Sequence, residues 1–186
     1  HDSPIAGYQI NKAIHPATRS GSYPYKPGII VRLGEMYLNY AEALNEYNPG
    51  HTDITKYVNL IRERAGLPAL KSGLSQSEMR EAIHHERRVE FAFEGNRWWD
   101  LKRWMEASKI WTGEPTARTS QRLGLWPFKV VASGDPNDGK WVFIEKDMQK
   151  LDLWRRPLKC TEAQYYSEID NGWINNNPKL VKNPYQ

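Results

Sequence analysis

Two breaks constrain this chain more than anything else in it: Asn48-Pro49-Gly50 and Gly66-Leu67-Pro68. Proline cannot continue a helix, and glycine supplies the left-handed residue at which helices end. The stretch between them is cut to one short helix, from about Ile54 to Ala65. Its Tyr57, Val58, Ile61 and Ala65 face one way, and Arg62, Glu63 and Arg64 mostly face water. Before the first break, from Ile29 on, Leu33, Met36, Tyr37, Tyr40, Ala41 and Leu44 recur at the three- and four-residue steps of a helix, with Gly34 a mild weakness inside it. A short connection folds the two into an antiparallel pair the size of one tetratricopeptide-like repeat. No second copy of the pattern occurs in the chain.

A third helix opens at Ser75-Gln76-Ser77-Glu78, which has the spacing of a capping box. Its apolar stripe reads Met79, Ala82, Ile83, Val89, Ala92 and Phe93, until Gly95 breaks or bends it. Trp98 to Met105 form a further short helix, and the helical signal ends after Ala107. Phe128–Val131 and Trp141–Ile144 then read as strands of a hairpin, joined by the turn-forming run Ser133–Gly139.

The expected class is therefore mainly α, helical pairs with long irregular loops and a small β-hairpin insertion. One region spans 1–186. It comprises an extended Pro- and Gly-rich arm (1–28), a helical core (29–107), a variable loop and hairpin insertion (108–150) and an irregular tail (151–186).

Composition excludes several classes. Twenty-six Lys and Arg against 22 Asp and Glu give +4, with acids and bases interleaved and no nucleic-acid signature. One cysteine, Cys160, excludes a disulfide framework. Mean hydropathy is −0.76, and no stretch approaches the roughly 20 apolar residues of a membrane span. Eight Trp, ten Tyr and four Phe are too many apolar rings for a solvated coil. No dinucleotide fingerprint, phosphate loop or nucleophile elbow is present, so no cofactor is expected.

The densest chemistry lies between Glu86 and Asp100. On a helix Glu86, Glu90 and Glu94 share a face, and paired carboxylates can serve glycoside hydrolysis. Three like charges on one face also repel unless cations neutralise them, and Arg87, Arg88 and Arg97 lie close by. The better reading is a structural motif of Glu86, Arg87, Arg88, Glu90, Glu94, Arg97, Trp98 and Asp100, an ion-pair network that locks helices together. His84 and His85 are adjacent and point about 100° apart on a helix, with no third ligand, so no metal is expected. Trp98, Trp99 and Trp104 read as core. Trp111, Trp126 and Trp141 fall in loop or hairpin context, where flat rings suit the apolar faces of sugars and of other ligands. They are the candidate substrate-binding residues. The residues by themselves indicate no reaction.

Four segments, in order, resemble the C-terminal part of SusD/RagB-type proteins, the surface glycan-binding lipoproteins of Bacteroidetes. They are Arg32–Glu46 (RLGEMYLNYAEALNE), Asn59–Pro68 (NLIRERAGLP), Glu86–Arg103 (ERRVEFAFEGNRWWDLKR) and Asn177–Tyr185 (NPKLVKNPY). The sequence departs from the family pattern at Leu153-Trp154-Arg155-Arg156-Pro157-Leu158 and in lacking a glycine between Pro184 and Tyr185. The resemblance implies a tetratricopeptide-like fold and a non-catalytic role at the outer membrane's outer face. There the protein would capture an oligosaccharide and deliver it to a SusC-like TonB-dependent transporter. It also implies a longer polypeptide of which this is the C-terminal portion, with a signal peptide and a lipidated cysteine ahead of it as the only membrane attachment. A protein-binding helical scaffold is the alternative, and a glycoside hydrolase a weaker one.

Overall fold

The computed structural model describes residues 12, 14–15, 17, 21, 28–114, 123–147 and 158–184. Most of the 1–28 arm and the Leu153–Pro157 run lie outside the described residues. The chain divides into two compact units, residues 12–97 and a second built mainly from residues 98–186.

The first unit holds three helices: α1 (Leu33–Tyr47), α2 (Thr52–Arg64) and α3 (Gln76–Glu90). α1 packs on both α2 and α3. Leu38, Ala41, Ile54, Val58, Ile61, Met79, Ile83 and Phe91 form the core, each at most 8% exposed. Local signals set the helix ends. His51 Nδ1 accepts from the Asp53 N–H at the start of α2. At its end Gly66 takes φ 72°, Gly66 N–H bonds Glu63 O and Leu67 N–H bonds Arg62 O. That is a Schellman closure, which requires the glycine. The capping box of α3 forms in full: the Glu78 N–H bonds Ser75 Oγ, and Glu78 Oε2 accepts from the Ser75 N–H.

The stripes differ from the periodic reading. α1 buries Leu38, Ala41 and Asn45, whereas Leu33, Met36 and Tyr40 are exposed. A polar residue takes a place in the stripe because most of its groups are paired there: Asn45 Nδ2 donates to Gln76 O and Gln76 Nε2 donates back to Asn45 O, while Asn45 Oδ1 is buried without a hydrogen-bond partner among the described residues. α3 stops at Glu90: Val89 in its last turn is exposed, Phe93 beyond it is exposed, and Phe91 is the buried ring. Ala65, the C-cap of α2, is exposed rather than facing inward. Gly34 is more than a weak point. A Cβ there would lie 2.7 Å from Arg32 Nη1 and 3.4 Å from Ile61 Cδ1, so the bare glycine permits a close approach.

In the second unit α4 (Asn96–Arg103, whose first two residues belong to the first unit) and α5 (Ala107–Ile110) precede an antiparallel hairpin. Its strands are β1 (Leu123–Lys129) and β2 (Trp141–Asp147). The register runs from Leu123 opposite Asp147 to Lys129 opposite Trp141. β1 thus starts earlier than the apolar run at Phe128 indicates. Val130 and Val131 fall outside the strand. A 3-10 turn (Glu162–Tyr165) and α6 (Asn171–Asn176), capped by Asp170, interrupt the tail that reads as wholly irregular. Each is too short to show a helical period in sequence.

Leu101, Ala107, Cys160 and Tyr165 form this unit's core, with Trp98, Trp104, Ile110 and Trp111 packed against it. Tyr165 Oη accepts from the Ser108 N–H and donates to Ser108 Oγ. Trp99, read from sequence as core, is 66% exposed because Trp98 in α4 and Trp104 just after it are the rings that pack against the core. The fold is mainly helical with a small two-stranded sheet. Among the described residues no helix is long and apolar enough to cross a membrane.

Candidate functional site

The end of α3 carries an ion-pair hub. Glu90 accepts from Arg32 Nη1 at 2.5 Å and, through both oxygens, from Arg64 Nη2 at 2.6 Å. Glu94 accepts from Arg32 Nε and Nη2, each at 2.8 Å, and pairs with Lys12 Nζ at 2.5 Å. Lys12 also donates to the carbonyls of Glu90 and Ala92, placing a cation where a helix end presents bare carbonyls. One turn back, Glu86, with a side chain 4% exposed, pairs with Arg62 at 2.8 Å, and Arg62 Nε caps the Pro68 carbonyl. Arg87 donates to Asn39 Oδ1 and lies 3.6 Å from Glu42. The guanidiniums of Arg32 and Arg87 both lie about 5 Å from the Phe91 ring centre.

Cations that engage Glu86, Glu90 and Glu94 thus come from the chain before α1 (Lys12, Arg32) and from α2 (Arg62, Arg64), besides the neighbouring arginines that the sequence suggests. Arg62 and Arg64, read as solvent-facing, are two of them. Glu94 lies beyond the end of α3, so the three acids do not share one helix face, and Arg32 gathers the last two by spanning them. Arg88 is exposed and Arg97 half-buried. In the second unit Asp100, 4% exposed, accepts from Arg103 Nε and Nη2 at 3.0 Å.

This geometry is poorly matched to proton transfer. A general acid needs a carboxyl raised toward neutrality. Burial pushes the Glu94 carboxyl up, but the hydrogen bonds from Arg32 and Lys12 and their charges outweigh it, and the group titrates below its ordinary value. Both Glu90 oxygens already face guanidiniums. Among the described residues no group of three His, Cys, Asp or Glu side chains could hold a metal ion.

The candidate tryptophans are not brought together on one platform. Trp111 stacks on Trp98 against the core, centroids 5.9 Å apart and planes 7° from parallel. Its carbonyl accepts from the Cys160 N–H, which ties it down further. Trp126 and Trp141 lie on opposite faces of the hairpin, because side chains alternate along a strand. Trp126 shares its face with Phe128, Val142, Ile144 and Lys146, and the Lys146 ammonium covers both rings at 5.6 and 5.0 Å. Trp141, 60% exposed, shares the other face with Phe143 (55%) and Leu125 (44%). Sequence reasoning missed Phe143 and Leu125, although the period-two alternation that joins them to Trp141 is visible in the strand.

Taken together, these features define a helical-pair module whose Glu86–Glu94 charges are engaged in its own scaffold, and an aromatic hairpin open to solvent. The chain belongs to the SusD family, whose model matches residues 2–185. It is similar to the SusD-like protein P2 of Formosa agariphila, 42% identical over 92 residues that cover 46% of this chain and 18% of that protein. It is also similar to the SusD-like protein P38 of the same organism, 36% identical over 107 residues, 53% of this chain and 21% of that one. The crystal structure of a SusD-like protein from Bacteroides fragilis superposes with a TM-score of 0.60 at 27% identity, covering 86% of this chain and 26% of its own. The matches thus span about a fifth of the curated relatives' length and about a quarter of that structure. These SusD-like likenesses agree with the tetratricopeptide-like helical architecture.

Proposed function

We propose that this chain is part of a non-catalytic nutrient-binding protein at the outer face of the outer membrane. It captures an oligosaccharide and delivers it to a SusC-like TonB-dependent transporter, with membrane attachment through a lipid anchor. The observation that carries the proposal is the family match over residues 2–185. Two features of the molecule favour binding over hydrolysis. Glu86, Glu90 and Glu94 are each engaged by arginine. The hairpin places Trp141 and Phe143 on one face, each more than half exposed, which suits a sugar's apolar face. Of the three candidate tryptophans, Trp141 is assigned the ligand contact. Trp126, under Lys146, is a weaker platform, and Trp111 a structural one.

A panel of polysaccharides scored for both retention and released sugar tests the proposal. Retention of one glycan class without product is expected, and Trp141→Ala weakens it by about 1–3 kcal/mol. Released sugar overturns the reading, and loss of that product in Glu90→Gln would assign the chemistry to the carboxylates. A second reading, a scaffold that binds only protein, draws on the exposed apolar residues Leu33, Met36 and Tyr40 of α1. It gains if a partner protein binds and no glycan competes.

A further inference from the structure

One cleft is used by neither the hub nor the hairpin. Gln164, Tyr166, Ser167, Glu168, Asn183 and Pro184 line a depression of about 280 Å³ in the second unit. It forms where the tail crosses the 3-10 turn. Tyr165 points inward to Ser108, and its neighbour Tyr166 is exposed along the cleft. Asn183 donates to the Ser167 carbonyl and holds the tail in place. Asn183 and Pro184 belong to the fourth of the recognised segments, which the function above leaves without a role.

The lining selects by chemistry. Among the described residues that line it there is no lysine, arginine or histidine, and Glu168 would repel a phosphate or carboxylate ligand. What it offers is a carboxylate acceptor at Glu168, the hydroxyl of Ser167, the side-chain amide of Gln164, and apolar area from Tyr166 and Pro184. Gln164 Oε1 accepts from the Thr161 N–H, which leaves Nε2 as the donor end of that amide. A neutral ring with a hydroxyl rim and a C–H face matches this set. The volume falls just below the roughly 300–1,000 Å³ of pockets for drug-sized ligands, room for one such ring. We infer that this cleft is a subsite for a single neutral pyranose, the end unit of a captured chain whose remainder extends into solvent. The inference rests on the glycan-binding reading above.

Saturation-transfer NMR on the whole chain tests it, with the methyl glycosides of glucose, galactose and mannose as probes and glucuronate and L-lysine as charged comparisons. A neutral glycoside is expected to bind more tightly than either charged probe. Tyr166→Ala and Glu168→Gln each lower its affinity about tenfold with the melting temperature unchanged. Should Tyr166→Ala melt early, the exposed Glu168→Gln decides alone. If the polysaccharide panel yields a bound glycan but both variants bind it and the glycosides as the wild type does, the subsite is wrong and the glycan-binding reading stands. If the wild type binds no sugar at all, both fall. Preferential binding of L-lysine overturns the pyranose assignment in favour of a cation site.

Discussion

Arg32 and Glu94 meet edge to edge, Nε on Oε2 and Nη2 on Oε1, both at 2.8 Å, across 62 positions of sequence. The same guanidinium reaches the carboxylate and the carbonyl of Glu90. Only a planar fork can do this, so lysine is no substitute. Arg32→Lys is expected to destabilise the first unit by about 1–3 kcal/mol, below the cost of breaking a fully buried pair because Arg32 and Glu94 are partly exposed. Urea unfolding of the variant, of Glu94→Gln and of the double variant measures it. Additive losses would mean that the pair is not coupled.

Gly34→Ala reverses the usual helix rule. Alanine ordinarily gains about 0.5–1 kcal/mol over glycine inside a helix. Here the new methyl lies 2.7 Å from Arg32 Nη1, an atom pinned by its carboxylate partner and unable to swing away freely. The net change is a loss of about 1 kcal/mol. In an Arg32→Ala background the same substitution becomes stabilising, and a thermal melt of the four proteins reads the sign.

Acid weakens the hub through Glu94. Its carboxyl titrates lower in the folded chain than its ordinary 4.5, so its contribution is present above the unfolded value and lost as pH falls through the folded one. With its partial exposure the contribution is on the order of 1 kcal/mol. Stability measured from about pH 6 down to about pH 3 should fall less steeply in Glu94→Gln than in the wild type. Parallel slopes would contradict the assignment.

The tryptophans separate by what they support. Removing Trp111, half-buried and stacked on Trp98 against the core, costs about 2 kcal/mol of stability. Removing the exposed Trp141 changes stability by less than about 0.5 kcal/mol. Chemical denaturation of Trp111→Ala and Trp141→Ala distinguishes these, and a stable Trp111→Ala would refute its core placement.

Signals confined to a few neighbouring residues were legible in the sequence. The Ser75–Glu78 box, the Gly66 closure and the turn-rich hairpin each follow from local backbone chemistry. What escaped was settled over distance. Nothing in Arg62 or Arg64 distinguishes a solvated arginine from one reaching Glu86 or Glu90 on another helix. Asn45 looks like surface until Gln76 is found opposite it. The hairpin's two faces could be read from alternation once its register was known, and that register depended on strand ends extending past the apolar residues.

The Trp98–Trp111 stack also divides the molecule optically. All eight tryptophans lie between residues 98 and 173, and the 12–97 unit has none. Parallel indoles at this separation couple their electronic transitions, so the near-ultraviolet circular dichroism of the chain contains a signature that vanishes when the stack opens. Tyr37, Tyr40 and Tyr57, clustered in the other unit, supply a separate chromophore. At the red edge of the near-ultraviolet band, where only tryptophan absorbs, the signal therefore reports the melting of the tryptophan-bearing unit alone.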